Sequence, residues 1–138
     1  MTADEVIAAA RECIGTPFMH QGRVVGRGLD CVGVVIHVAR RLNLKVVEPA
    51  GYGRVPARGM LENAFDSHAC VERVGIADMQ PGDIPMLRFG RDHQHVGVFT
   101  GDTLIHGYEG VGFVCEHRID EEWRSRISRV YRFIGVVP

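Results

Sequence analysis

Residues 29–43 read LDCVGVVIHVARRLN. The conformation of this stretch decides the fold class. VGVVIHV has the composition of a strand, yet its surroundings predict a helix over residues 31–43. Asp30 is a good N-cap. Val34, Val35, Val38 and Leu42 share one helical face. Arg40 and Arg41 fall in the last turn, where positive charge suits the helix dipole. The run from Cys31 to Ala39 is nine residues long and broken by His37, too short to span a bilayer.

Working outward, residues 3–14 read as a first helix. Val6, Ile7 and Ala10 recur at helical spacing, followed by Cys13 or Ile14, and Gly15 and Pro17 stop it. Residues 15–30, GTPFMHQGRVVGRGLD, form a glycine-rich loop leading into the second helix. Residues 44–60 look irregular, and a short helix is expected over 58–66. Beyond that the pattern turns to β: strands at 70–74, 84–89, 95–100, 103–107, 112–117 and 129–134, a Gln80-Pro81-Gly82-Asp83 turn, and a helical turn at 120–125. Helices first and an antiparallel meander after them imply an α+β fold, with N-terminal helices packed on an antiparallel sheet.

The 138 residues suit one domain over 1–138. A formal charge of −1 gives no electrostatic case for a nucleic-acid partner. The N-terminus, MTADEVIAAARECIG, lacks the basic start and apolar core of an export signal, so synthesis and folding in the cytoplasm are expected. Cys13, Cys31, Cys70 and Cys115 form no CxxC pair and are expected to be free thiols in a reducing compartment.

Among these thiols Cys31 is the best nucleophile candidate. On the helical reading it sits in the first turn, where unsatisfied N–H groups and the dipole favour an anion and lower a thiol pKa. Cys13 falls on the apolar face of the first helix, and Cys70 and Cys115 lie in β-like stretches with no base nearby in sequence. The segment HVGVFTGDTLIHGY (95–108) supplies the partner chemistry. Gly101-Asp102 reads as a two-residue hairpin turn with glycine first. In that register Thr100 faces Thr103, Gly97 faces His106 and His95 faces Tyr108. His95 and His106 become diagonal neighbours about 7–8 Å apart at Cα. Such a pair suits a relay in which one imidazole takes the thiol proton and the other orients it. A metal site is the competing use, but two histidines without a third ligand make an incomplete zinc shell. His20, in the loop ahead of the cysteine, is a weaker candidate. His93 reads as an exposed loop residue, and His37, His68 and His117 as structural or surface residues.

A capped cysteine on an early helix and a histidine on a later antiparallel strand follow the papain-like order. With GTPF (15–18), HQG (20–22), LDCVGVV (29–35), GYGRVP (51–56), QPGDIPMLRFG (80–90), HVGVFTGD (95–102), LIHGY (104–108), EHRIDEEWRSRI (116–127) and VYRFIGV (130–136), the chain resembles the NlpC/P60 family of cell-wall cysteine peptidases. Within it the chain looks like the phage-type peptidases of tails, prophages and gene transfer agents. The resemblance implies Cys31 as nucleophile, His95 as base and His106 as the third polar residue, with no cofactor. It also implies that Asp30 helps bind the amine of a peptidoglycan stem peptide, and that the bond from D-γ-Glu to the diamino acid is cut. Tail proteins would be partners and a virion the vehicle to the periplasm. Two positions depart from the family pattern. Phe18 stands where a tyrosine assists the oxyanion site, and Val32 where a serine is common. The Cys31 backbone N–H, with His20, is left to stabilise an oxyanion. The alternatives are a catalytically weak or inactive tail component of the same fold, and an amidase or acyltransferase using the same Cys/His dyad.

Overall fold

The computed structural model describes residues 1–47, 60–89 and 93–137. Helix α1 (Ala3–Arg11) is capped by Thr2, whose side chain accepts from Glu5 N–H, and buries Val6, Ile7, Ala9 and Ala10. Helix α2 (Cys31–Arg41) confirms the helical reading of the decisive stretch, with Asp30 as its cap. Its two glutamate-linked residues, His37 and Arg41, bond to Glu12 beyond the end of α1, fastening the two helices side by side. Helix α3 (Met60–Ser67) takes the place of the short helix expected at 58–66. Residues 58 and 59, like GYGRVP (51–56), lie outside the described residues.

The β part differs from a meander. Strands β3 (Val71–Val74), β4 (Ile84–Phe89), β5 (His93–Val96) and β9 (Ile127–Phe133) form one antiparallel sheet in the order β3-β9-β4-β5. The last strand is therefore inserted between two earlier ones. A second antiparallel sheet holds β6 (Val98–Phe99), β7 (Thr103–Tyr108) and β8 (Phe113–Arg118). Helix α4 (Glu121–Ser125) connects the two. A pair of two-residue strands, β1 (Arg23–Val24) and β2 (Gly28–Leu29), gives the glycine-rich loop a ladder that its composition had hidden.

The strand expected at 95–100 is split. β5 pairs with β4, whereas β6 pairs with β7, and Gly97 is the corner between the sheets. A Cβ there would sit 2.8 Å from the Ile105 carbonyl oxygen and 2.7 Å from a Leu104 methyl, so the chain can only turn tightly at this point without a side chain. The predicted hairpin register holds, with Val98 opposite Ile105 and Phe99 opposite Leu104, and Gly101 adopts φ +122°. His93 belongs to β5 rather than to a loop. One core of α1, α2 and both sheets unites Val6, Val34, Val38, Met86, Val96, Ile105 and Tyr131. Arg129 ion-pairs with Glu62 and Asp66, holding α3 to β9. No helix of the described residues is long and apolar enough to cross a membrane.

Candidate active site

Asp30 builds the site from its upstream side. Its Oδ1 accepts from Gly33 N–H at 2.8 Å, capping α2, and from Arg23 Nη1 at 3.0 Å. Its Oδ2 accepts from Gln21 N–H at 2.9 Å. One buried carboxylate thus ties the glycine-rich loop to the start of α2. The Cβ of any residue at 33 would lie 2.4 Å from the Gly22 carbonyl oxygen, so this tie requires glycine at that position. On the other side, Gly107 of β7 packs against the Asp30–Cys31 peptide, where a Cβ would meet the Asp30 carbonyl at 3.0 Å and Cys31 N at 3.4 Å. Cys31 is held between loop and sheet at the first position of the helix.

The sulfur faces backbone N–H groups of Val96, Val32 and Cys31 itself, so β5 brings the residue following His95 onto the thiol. Those donors favour a thiolate, but burial is stronger and the Asp30 charge adds to it. Together they push Cys31 up to about 12. The expected lowering by the helix N-terminus is overturned: desolvation outweighs the helix end.

His95 and His106 are both buried, and His95 Nε2 lies 2.5 Å from His106 Nδ1. The chain of imidazoles continues. His106 Nε2 is 2.8 Å from His117 Nε2, and His117 Nδ1 is 2.8 Å from the Arg118 carbonyl oxygen. Burial pushes His95 down to about 3 and His106 down to about 2, with neighbouring imidazoles adding to the shift. With the rings neutral, the hydrogen-bond chain assigns every proton, because each ring has one donor and one acceptor nitrogen. A carbonyl only accepts, so His117 Nδ1 donates to Arg118 and its Nε2 accepts. His106 Nε2 then donates, and its Nδ1 accepts. His95 Nε2 donates, which leaves the lone pair on His95 Nδ1.

Trp123 of α4 closes the outer side of this chain, 5.3 Å from the His106 ring and 4.8 Å from that of His117. Tyr108 stacks on His106 at 5.4 Å, and Phe89 meets His95 edge-on at 5.6 Å. This apolar wall excludes water from His95 and His106 and accounts for their lowered basicity.

No family model matches the chain. It is 24% identical over 138 residues to the gamma-DL-glutamyl hydrolase of Bacillus subtilis (strain 168), covering 96% of this chain and 30% of that protein. Among solved structures it superimposes on an NlpC/P60 family protein from Bacillus cereus with a TM-score of 0.70 at 17% identity, covering 98% of this chain and 41% of the other. The chain spans well under half the length of both. The NlpC/p60 domain of the peptidoglycan hydrolase SagA matches with a TM-score of 0.63 at 20% identity, over 94% of this chain and 97% of that one. The fold is that of an NlpC/P60 domain.

Within this NlpC/P60 fold the sequence-predicted residues distribute unevenly. Cys31, Asp30, His95 and His106 converge around the start of α2. Phe18 and His20 line a separate shallow recess with Met19, Glu109 and Gly112 on the loop side. Phe18 bridges to Leu29, and its N–H donates to the Gly112 carbonyl, so it shapes the loop. Val32, expected to weaken the site by lacking a hydroxyl, is buried in the core with Val35 and Phe133.

His117 is the main omission of the sequence reading. The sequence pattern points to a structural or surface residue, yet His117 completes the imidazole chain. The signal was present: on β8 it stands two residues beyond Cys115, which faces His106 directly. His117 is therefore a diagonal neighbour of His106, as His95 is on the other side. The four-residue turn between β7 and β8 gave no register from which to see it. The structure also gives the relay histidine further donors: ligand atoms of His106, Cys115 and His117 lie within 4.8 Å of one another.

Proposed function

We propose that this domain is a cysteine-type peptidase acting on peptidoglycan stem peptides at the D-γ-glutamyl–diamino acid bond. The observation that carries this reading is the directed histidine chain ending in a lone pair on His95 Nδ1, one residue along β5 from the N–H that meets the Cys31 sulfur. The likeness to a gamma-DL-glutamyl hydrolase and to a peptidoglycan hydrolase domain supports the substrate class.

In the proposed reaction Cys31 Sγ attacks the amide carbonyl while its proton passes to His95 Nδ1. The resting pair is thiol and neutral imidazole, so the transfer accompanies the attack. The Cys31 N–H, in the first turn of α2, would swing from the sulfur to the developing oxyanion; one such donor contributes about 2.7–4 kcal/mol. His95, now an imidazolium, is stabilised by the acceptor nitrogen of His106. It returns the proton to the leaving amine, and a thioester remains on Cys31. Water, deprotonated by His95, then releases the acyl group. No cofactor takes part. Asp30 contributes first by fixing Cys31; a substrate ammonium reaching it would share its oxygens with Arg23. The recess at Phe18 and His20 adjoins the loop and would receive the flanking part of the stem peptide.

The muropeptide products of the wild type beside Cys31→Ala test this reading by mass spectrometry. Release of the diamino-acid-containing fragment only by wild type supports it, and equal release by both overturns it. Products of amidase or transfer type would replace the endopeptidase reading while keeping the dyad. A wall-binding protein on the same fold is the second reading, favoured by the protonated resting thiol; sacculus binding without any product would select it. The tail-type motifs support delivery in a phage-like particle with tail proteins as partners. Absence of the chain from purified particles would overturn that part.

A further inference from the structure

We propose that His106, Cys115 and His117 form an inhibitory site for a thiophilic divalent metal, of which zinc is the type. The three side chains share one face of the second sheet. His106 and Cys115 oppose each other directly across β7 and β8, and His117 follows two residues later on the same face. Their ligand atoms already lie within 4.8 Å of one another. Two imidazole nitrogens and one thiolate, with a fourth position open to water, are a donor set that selects zinc over the hard cations. At zinc–nitrogen distances of about 2.0–2.1 Å in a tetrahedron, two nitrogens stand about 3.3 Å apart. The His106 and His117 Nε2 atoms stand 2.8 Å apart, so the rings need only pivot by a fraction of an ångström as metal replaces the proton between them. Cys115 and His117 are half-buried, which leaves the site reachable from solvent.

Proton accounting gives the consequence. Zinc needs the lone pairs of both Nε2 atoms and the Cys115 thiolate. The thiol proton leaves to solvent. His106, ligated through Nε2, carries its proton on Nδ1 instead and donates to His95 Nε2. His95 must then accept there, so its own proton moves to Nδ1, the atom assigned the role of base under the peptidase reading. One proton is released in all, no electron moves, and the base is lost without any metal touching Cys31. This inhibition rests on the peptidase reading; the metal site itself does not.

Three measurements separate them. Cobalt(II) titrated into Cys31→Ala protein should give a near-ultraviolet thiolate-to-metal absorption saturating at one equivalent. The band should be absent from Cys31→Ala/Cys115→Ala. No band in the first protein, or an undiminished band in the second, overturns the site whether or not the chain hydrolyses anything. In active protein, micromolar zinc should inhibit reversibly with a chelator. Cys115→Ala should keep basal activity while its half-inhibiting zinc concentration rises at least tenfold. Unchanged inhibition of Cys115→Ala would place the zinc elsewhere and overturn the relay switch. ¹⁵N spectra of the imidazoles give the direct readout: zinc should move the protonated nitrogen of His95 from Nε2 to Nδ1, and an unmoved resonance refutes the switch.

Discussion

Replacing His117 by phenylalanine tests the directed relay at its least obvious member. Phenylalanine keeps a ring against Trp123, which lies 4.8 Å from the His117 ring, so the change is mainly polar. It removes the acceptor of the His106 Nε2 proton, now 2.8 Å away, from a residue with 0% exposure. A buried donor left without a partner costs about 1–3 kcal/mol. The protein has two ways to bear that cost. It can keep the proton on Nε2 and lose that amount of stability. Alternatively the proton can move to His106 Nδ1, which turns His95 so that its Nδ1 is protonated and cannot serve as base. In the second case the competent tautomer falls in population by about 5–150-fold. The expected result is a kcat lower by that factor with KM nearly unchanged, since substrate contacts are untouched. Glutamine at 117, whose side-chain carbonyl can accept the same proton, should recover most of the loss. The assay is steady-state hydrolysis of a defined stem peptide, beside urea unfolding of the same variants. A His117→Phe protein with wild-type kcat and stability, or a glutamine variant no better than phenylalanine, would refute the argument.

Three further outcomes follow from the site. Removing the Asp30 charge by Asp30→Asn should lower the Cys31 pKa, because that charge adds to burial in raising it; iodoacetamide should alkylate Cys31 faster at pH 7–8, and slower labelling would contradict the electrostatics. His95 and His106 are held below their ordinary value, so the unfolded chain binds more protons as pH falls: stability is complete above about 6.5 and is lost towards 3, at up to about 1.4 kcal/mol per pH unit for each ring. Urea midpoints at pH 7, 5.5 and 4.5 should show a steep decline that His106→Asn makes shallower, and equal slopes would be evidence against buried neutral rings. Gly107→Ala drives a methyl into the Asp30–Cys31 peptide at 3.0 Å, for about 1–3 kcal/mol of overpacking; kcat should drop more than the melting temperature suggests, and an active variant would show that the helix start tolerates displacement.

The sequence carried α2 because the cap, the apolar face and the terminal arginines agreed, even though local composition pointed to a strand. It carried the His95–His106 pairing because a two-residue turn leaves one register, and that register survived a strand break at Gly97. The break itself was illegible: only a second sheet makes a corner there, and period-two alternation continues through it. The insertion of β9 between β3 and β4 was equally hidden, since strand order depends on long-range pairing rather than local pattern. For Cys31 the helix end is legible in the sequence and its electrical outcome is not, because the depth of burial is a property of the packed protein. The place of Trp123 is illegible for the same reason, as a helix folding back over β7 and β8 brings it to the histidines.

The last acceptor in the imidazole chain is a main-chain atom, the carbonyl of residue 118. Every amino acid supplies that atom, so no substitution at 118 deletes it, and no change of pH reverses its polarity. The sense of the proton relay is thereby written into strand phase. Sliding β8 by one residue would turn His117 and this carbonyl away from the chain together, while leaving every individual side chain intact. The part of the domain most exposed to loss of function by insertion is thus the plain turn at 109–112, which contains none of the reacting groups.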